Sequence, residues 1–474
     1  MNILLITIDS LRADHLSCYG YHRPTSPNID KLAKEGWMFT HAFSNGSVTR
    51  LSFPSLLTSD YPLSKGGYKV LSERRVTLPQ ALKGNGYTTC GIQTNPWLHR
   101  YAGYTRGFDS YHEFYTEREA AFASLPNFSA RFLSYIFSSS LRRVLHKVCK
   151  SADEIGEIGI EWLKGHKGSP FFLWVHYMDV HYPYLPGRDV KWLWDEGYLK
   201  KIGLKMNPLR VLYNFIKEDP TITKALYDGA IGYTDEHIGR LLKEVDTLGL
   251  LDETVVVLTS DHGDEFMEHG GMRHHSGKLY NELLHVPLVI RFPDKGPSLL
   301  DEPVSLIDVP PTLLDYLGLE PVGAFKGRSL MSKLGKQHYV ISEGLARRGR
   351  KSSDNVVERY PKEMMERLEG RKSRKGRRKD VIMGIIRGNL KFIYNIGRET
   401  KELYDLTSDP GEKENIADSR PHEVSEFVEI ANHRVEEIIK ELEEERAERP
   451  SPTPGQEEDM KLIERQLRKL GYTE

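Results

Sequence analysis

The segment LTSDHGDEFMEHG sets Asp261 and His262 side by side directly after an apolar run. An Asp-His pair at a strand end offers one oxygen and one nitrogen ligand to a metal ion, and Gly263 would let the backbone turn away sharply. A second segment, ITIDS, delivers Asp9 from the tip of the first apolar run. Its alternative role is to cap the turn that follows. A third, NGSVTRLSFPSLLTSDYP, reads as a loop entering a helix with Thr49 just before the first helical turn. Free amides and the helix dipole bind anions at such a point, so a tetrahedral oxyanion would be held there. Together these residues meet the needs of ester cleavage at phosphorus or sulfur: a nucleophile, a metal to neutralise developing charge, and donors around the equatorial oxygens.

Those side chains must be carried by elements that bring them together. Short β-branched runs at 2–8, 88–92, 170–175, 254–259 and 286–290 read as strands of a parallel sheet, and helical patterns at 26–35, 78–85 and 225–248 alternate with them. Alternation of this kind predicts an α/β fold, a doubly wound and mostly parallel sheet flanked by helices, over 1–335. Asp9 and Asp261 each follow a strand immediately, at the carboxyl edge where such sheets collect ligands. Strand-like runs at 338–342, 381–387 and 390–395 predict a small antiparallel-sheet subdomain over 336–420, and charged helices are expected over 421–474. Within the basic loop 347–379, the stretch RKSRKGRRK holds seven bases in nine residues. It reads as a solvated loop, with contact to an anionic surface as the alternative.

The 474 residues allow a large core, and 66 Lys and Arg against 67 Asp and Glu give a net charge of −1, which argues against a nucleic-acid partner. Cys18, Cys90 and Cys149 are too few and too scattered for a disulfide framework. The opening run meets Asp9 too early for a signal peptide, and a cytoplasmic location is expected. Residues 128–150 place aromatic and aliphatic side chains on one side and bases on the other. They read as a helix packed on the main domain, with peripheral membrane contact as the alternative.

The segments LLITIDSLRADHLSCYGY, SFPSLLTSDYP, HYMDVHYPY, TSDHGDEFMEHG, LYNELLHVPLVIRFP, SLIDVPPTLLDYLGL and ELYDLTSDPGEKENIA resemble blocks of the sulfatase family, within the alkaline-phosphatase-like superfamily. They stand in family order and span nearly the whole chain. The resemblance implies that Asp9, Asp261 and His262 ligate one divalent metal ion, with Thr49 at the nucleophile position facing it. Mn, Mg, Zn and Ca all remain open. In HYMDVHYPY, His181 matches a substrate-contacting histidine, with a core or capping role as its alternative, and His176 and Asp179 share the block. His275, ten residues before His285, is expected to contact an oxyanion or donate a proton. Asn95, after TCGIQTN, either reaches substrate or caps its loop. Arg12 is expected to pair with Asp14, with reaching the site as its alternative, and Asp264, Glu265 and His269 are expected to support the site or start a helix.

The departures from the family pattern redirect the chemistry. Sulfatases place Cys or Ser at the position of Thr49, where oxidation gives a formylglycine aldehyde; Thr would give a ketone. Leu51 and Phe53 replace a proline and an arginine, Thr94 and Ser276 replace lysines, and Ser10 replaces the second aspartate of an Asp-Asp pair. A Thr nucleophile resembles instead the phosphonate and phosphodiester hydrolases and phosphoglycerol transferases of the superfamily. The expected function is metal-dependent hydrolysis, or transfer, of an anionic phosphate or sulfate ester, with glycan- or lipid-linked esters as candidate substrates. Two alternatives stand beside it: a sulfatase acting without formylglycine, and a catalytically silent binding protein of the same fold.

Overall fold

The computed structural model describes residues 1–65, 70–114, 150–182, 184, 220–274, 276–332, 338–347 and 379–448. His275, residues 128–149 and most of the basic loop lie outside the described residues.

The apolar run NILLITI forms β1 (Asn2–Ile8), and all seven of its residues are buried. A strand buried on both faces belongs at the centre of a parallel sheet. β1 lies there, between β5 (Phe171–Tyr177) and β6 (Thr254–Ser260), parallel to both. The remaining strands of the sheet are β2 (Trp37–Phe43), β3 (Thr88–Gln93), β4 (Ser110–Glu113), β9 (His285–Arg291), β10 (Ser298–Leu300) and β11 (Val304–Ser305). The order is β10-β2-β9-β6-β1-β5-β3-β4, with β11 against β2. Alternate side chains of β1 face opposite ways: Leu4, Ile6 and Ile8 pack with Ile155, Ile231 and Leu241, while Ile3 and Leu5 pack with Phe53, Leu82 and Leu313. Helices Ala152–Gly165 and Pro220–Thr247 thus cover one face, and Thr49–Thr58, Leu78–Gly84 and Val309–Tyr316 the other. Each such aliphatic side chain stabilises the layer by about 1.5–3 kcal/mol.

One sequence expectation is corrected here. The strand over 286–290 runs antiparallel to β6 and β2, not parallel. Between β6 and β9 the chain turns back on itself, Gly263 N donating to Leu283 O at 2.9 Å, so no crossover over the sheet face reverses its direction.

β7 (Glu265–Phe266) and β8 (Met272–Arg273) make a small hairpin inside that return. Asp264 and Glu265 therefore lead into a strand, and the helix start considered for them is corrected. β12 (Val340–Arg347), β13 (Lys379–Arg387), β14 (Leu390–Asn395) and β15 (Thr400–Asp405) form the second, antiparallel sheet. Helix Pro421–Glu448 lays Phe427, Ala431, Val435 and Ile438 on it. This sheet grips the segment ahead of and beyond Thr49: Asn45 Nδ2 donates to Ile341 O at 2.8 Å, Ser342 Oγ to Ser44 O at 2.6 Å, and Arg434 bonds Glu343 and Ser64. Among the described residues, no helix is long and apolar enough to cross a membrane.

Candidate active site

Parallel pairing of β1, β5 and β6 sends their carboxyl ends to one edge, and Asp9, His176 and Asp261 arrive there together. Ser10 takes the left-handed conformation at φ 61°, uncommon for a residue with a side chain. That turn points Ser10 N at Asp261 Oδ1 (3.1 Å) and Ser10 Oγ at Asp9 Oδ1 (2.8 Å). The residue in place of a second aspartate therefore ties the two carboxylates together. Gly263 is needed for a different reason from the one its sequence suggests. Its φ is not left-handed, and a Cβ there would meet Glu282 O at 2.2 Å.

Thr49 opens helix Thr49–Thr58 and is 4% exposed. Its Oγ1 lies 3.4 Å from Asp9 Oδ2, from His262 Nε2 and from Asn95 Nδ2. Of the two roles considered for Asn95, the structure shows the loop cap, and it adds a bond to Asp9. Its Oδ1 accepts from Trp97 N at 2.9 Å and caps the loop, while Nδ2 donates to Asp9 Oδ2 at 2.7 Å. His262 Nδ1 is 2.8 Å from Gly263 O. A carbonyl only accepts, so Nδ1 carries the proton and the Nε2 lone pair faces the carboxylates. His176 is wholly buried beside Asp9, with Nδ1 2.8 Å from Thr7 Oγ1 and Nε2 3.4 Å from Asp9 Oδ2. Phe53 packs edge-on against its ring at 5.0 Å.

Asp9, Asp261 and His262 each present a ligand atom within 4.8 Å of the others, all buried. Asp261 Oδ2 has no hydrogen-bond partner and sits 3.4 Å from His262 Nε2. Burial, reinforced by the charge of Asp9, pushes the Asp261 carboxyl up to about 7. Burial would also raise Asp9, but the adjoining imidazoles of His181 and His176 outweigh it and hold Asp9 low. Desolvation depresses His262, favouring the neutral ring that a metal requires. An orphaned carboxylate oxygen, an ionised partner and an aimed imidazole lone pair fit a divalent cation, and a two-carboxylate, one-imidazole set suits Mn, Mg or Zn.

The model of one protein family, described as Sulfatase, matches residues 1–319, which is well over half of the chain. The chain belongs to the Sulfatase family. It is 28% identical to human iduronate 2-sulfatase, over 63% of this chain and 61% of that protein. It is 24% identical to an arylsulfatase of Clostridium perfringens, over 93% and 94%. The phosphonate monoester hydrolase of Agrobacterium radiobacter superposes with a TM-score of 0.61 at 22% identity, covering 94% of this chain and 96% of that one.

Within this Sulfatase-family site, His181 is half-buried. Its Nδ1 lies 2.6 Å from Tyr182 O, and its ring is 5.0 Å from that of His274. His274 is the site residue that sequence reasoning missed. Its ring lies 4.5 Å from that of His262, and Nδ1 is 3.0 Å from Asp264 Oδ1. Burial would raise Asp264, yet the hydrogen bond and charge of His274, with the hydrogen bond from Tyr184, lower it. The doublet His274-His275 was the available signal, and nothing in the local pattern separated its members. Asp179 turns away from the cluster to the helix Ala152–Gly165, accepting from Ala152 N at 3.1 Å, and burial pushes it up to about 7. Thr94 is buried, and Ser276 Oγ donates to Leu345 O at 2.9 Å. Arg12 pairs with Asp14 at 2.7 Å and Glu268 at 3.0 Å, while Glu265 pairs with Lys278 and His269 with Glu282.

Proposed function

We propose that this chain is a metal-dependent ester hydrolase in which Thr49 attacks a phosphorus ester, with phosphodiesters or phosphonate monoesters as the preferred class. The observation that carries this reading is the hydroxyl of Thr49, whose Oγ1 is 3.4 Å from both Asp9 and His262. A divalent ion held by Asp9, Asp261 and His262 would lower the pKa of the neighbouring hydroxyl and offset charge on an ester oxygen.

Thr49 Oγ1 loses its proton and bonds to phosphorus in line with the departing oxygen, whose bond to phosphorus breaks. A phospho-threonine results, and the leaving alkoxide takes up the proton that Thr49 gave up. Water then displaces Thr49 and restores its hydroxyl; an acceptor alcohol in place of water makes the reaction a transfer. Asn95 holds Asp9 and Thr49 in register through its amide. His181 and His274 stand on the side next to His262, their rings 5.0 Å apart and that of His274 4.5 Å from that of His262, and together they line the side from which ester oxygens would be met.

A sulfate-ester reading is favoured by one observation, the names of the relatives: iduronate 2-sulfatase and arylsulfatase. A solved neighbour at 19% identity is described in complex with its substrate D-glucosamine-2-N,6-O-disulfate, which extends that reading to glycans. The discriminating experiment assays an aryl phosphodiester, an aryl phosphonate and an aryl sulfate side by side with added Mn²⁺. Faster turnover of a phosphorus ester supports the proposal, and sulfate turnover above every phosphorus ester overturns it.

A further inference from the structure

The β7–β8 hairpin brings His274 against His262, yet each of its strands has only two residues. Strands that short have no stability of their own, so contacts with the surrounding body fix where the hairpin lies. On one flank Arg12 Nη1 meets Glu268 Oε1 at 3.0 Å, and Phe266 packs among Tyr184 and Tyr227. On the other, His269 fastens the hairpin turn to the loop that follows β15.

His269 Nδ1 lies 2.6 Å from Glu282 Oε1, and Nε2 lies 3.0 Å from Glu412 O. A carboxylate and a carbonyl both accept, so each ring nitrogen carries a proton and the ring is an imidazolium. It stacks on Tyr280, with centroids 3.6 Å apart and planes 5° apart, and Tyr280 in turn donates to Glu402. Glu265 Oε1 accepts from His269 N at 3.0 Å, Lys278 Nζ donates to His269 O at 2.8 Å, and Lys413 Nζ donates to Glu268 O. Burial would lower the pKa of the ring, but the hydrogen bonds to Glu282 and to Glu412 O, with the charge of Glu282, outweigh burial and Lys413 and raise it above the ordinary 6.5.

The far side of the clasp is anchored as firmly. Glu412 is 2% exposed and left-handed at φ 54°, a conformation that a long side chain keeps only where its surroundings hold it. Its Oε2 accepts from Asn281 N at 2.5 Å, and Oε1 pairs at 2.7 Å with Lys391 of β14, which is wholly buried.

We infer that His269 is a positioning residue: its imidazolium clasps the hairpin to Glu412 and so sets His274 beside His262, and loss of its proton at alkaline pH loosens the site. A neutral ring satisfies one of the two acceptors and leaves the other without its donor. A group whose folded pKa is raised contributes stability that is complete below its unfolded pKa and is lost as pH rises through the folded one. The positioning role rests on the ester site lying at Thr49 and His262.

Urea unfolding of the full chain and of His269→Gln, from about pH 6 to about pH 9, tests the clasp without substrate. The midpoint of the variant is expected to lie below that of the unaltered chain at the acidic end, with the gap closing toward the alkaline end. Glu282→Gln keeps an acceptor and removes its charge, and its gap should close over the same range, so the result does not depend on one variant. For positioning, kcat of the Mn²⁺-loaded unaltered chain on an aryl phosphonate should exceed that of His269→Gln about tenfold at about pH 6 and match it by about pH 9. A gap constant with pH overturns the inference. A gap that closes while the two kcat values stay equal throughout overturns the positioning role. Turnover of no ester by the unaltered chain overturns the reading of the ester site, and the positioning role with it, while the unfolding result stands apart.

Discussion

Thr49 Oγ1 stands 3.4 Å from His262 Nε2, although the two residues are 213 positions apart in the chain. The distance is set by two unrelated pieces of architecture. The carboxyl end of β6 places His262, while the second sheet, bonded to Ser44 and Asn45, and the helix upon it, bonded to Ser64 through Arg434, fix where helix Thr49–Thr58 begins. Removing the hydroxyl should therefore remove the chemistry and leave the fold. Thr49→Ala is expected to lower kcat by at least about a thousandfold, whereas Thr49→Ser should stay within about a hundredfold of the unaltered chain. Steady-state rates on an aryl phosphonate, with Mn²⁺ content measured in parallel, make the comparison. Equal losses in both variants with metal retained would show that the hydroxyl is not the group at work.

Metal removal should be visible in stability as well as rate. Asp9 and Asp261 are wholly buried, and Asp261 Oδ2 has no hydrogen-bond partner. A cation that binds only the folded chain adds about 2.7 kcal/mol at a hundredfold excess over its Kd. Chelator is thus expected to lower the Tm by several degrees and added Mn²⁺ to restore it. Asp261→Asn should show neither response. A Tm indifferent to chelator, after elemental analysis confirms metal in the starting protein, would contradict the assigned ligands.

Much of this site was legible in the sequence because its parts obey local rules. Asp9 and Asp261 end apolar runs, which become adjacent parallel strands, so their meeting at one edge follows from topology. Other features depend on contacts that no local pattern encodes. The direction of β9 is decided by the chain turning back beside Leu283, and β2 was passed over because Thr40 and His41 interrupt its apolar pattern. His274 emerges only where the β7–β8 hairpin carries it against His262. Phe53, where the family pattern has an arginine, packs against Trp174 and His176 and fills the floor with apolar contact.

Asn95 links the loop after β3 to Asp9 and to Thr49. Asn95→Leu should remove both of these hydrogen bonds, and the cap to Trp97 N with them, at similar volume and lower kcat by about tenfold to a thousandfold, with a smaller change in KM. Rates on two aryl phosphonates of different leaving-group pKa check this. A variant whose loss lies wholly in KM would assign Asn95 to substrate affinity and not to holding Thr49 and Asp9.

Asp60 gives a prediction on stability against pH. Burial would raise its carboxyl, but Arg75, Lys326 and Lys65 outweigh that, and Asp60 sits at about 2 against an ordinary 3.8. A carboxyl whose folded pKa is depressed contributes stability above its unfolded pKa and loses it as pH falls through the folded one. The contribution, about 2 kcal/mol, is complete above about pH 5 and fades between about pH 4 and pH 2. Urea unfolding of the unaltered chain and Asp60→Asn should show a gap that narrows over that window. A gap constant from about pH 6 to pH 2.5 would contradict the ion-pair account.

The most direct test of Thr49 as nucleophile is mass spectrometry of the Mn²⁺-loaded protein quenched in acid during turnover of 4-nitrophenyl phenylphosphonate. The account predicts a phenylphosphonyl group on the peptide that contains Thr49, absent from Thr49→Ala. Sustained turnover with that peptide unmodified, at a rate that Thr49→Ala retains, would contradict it.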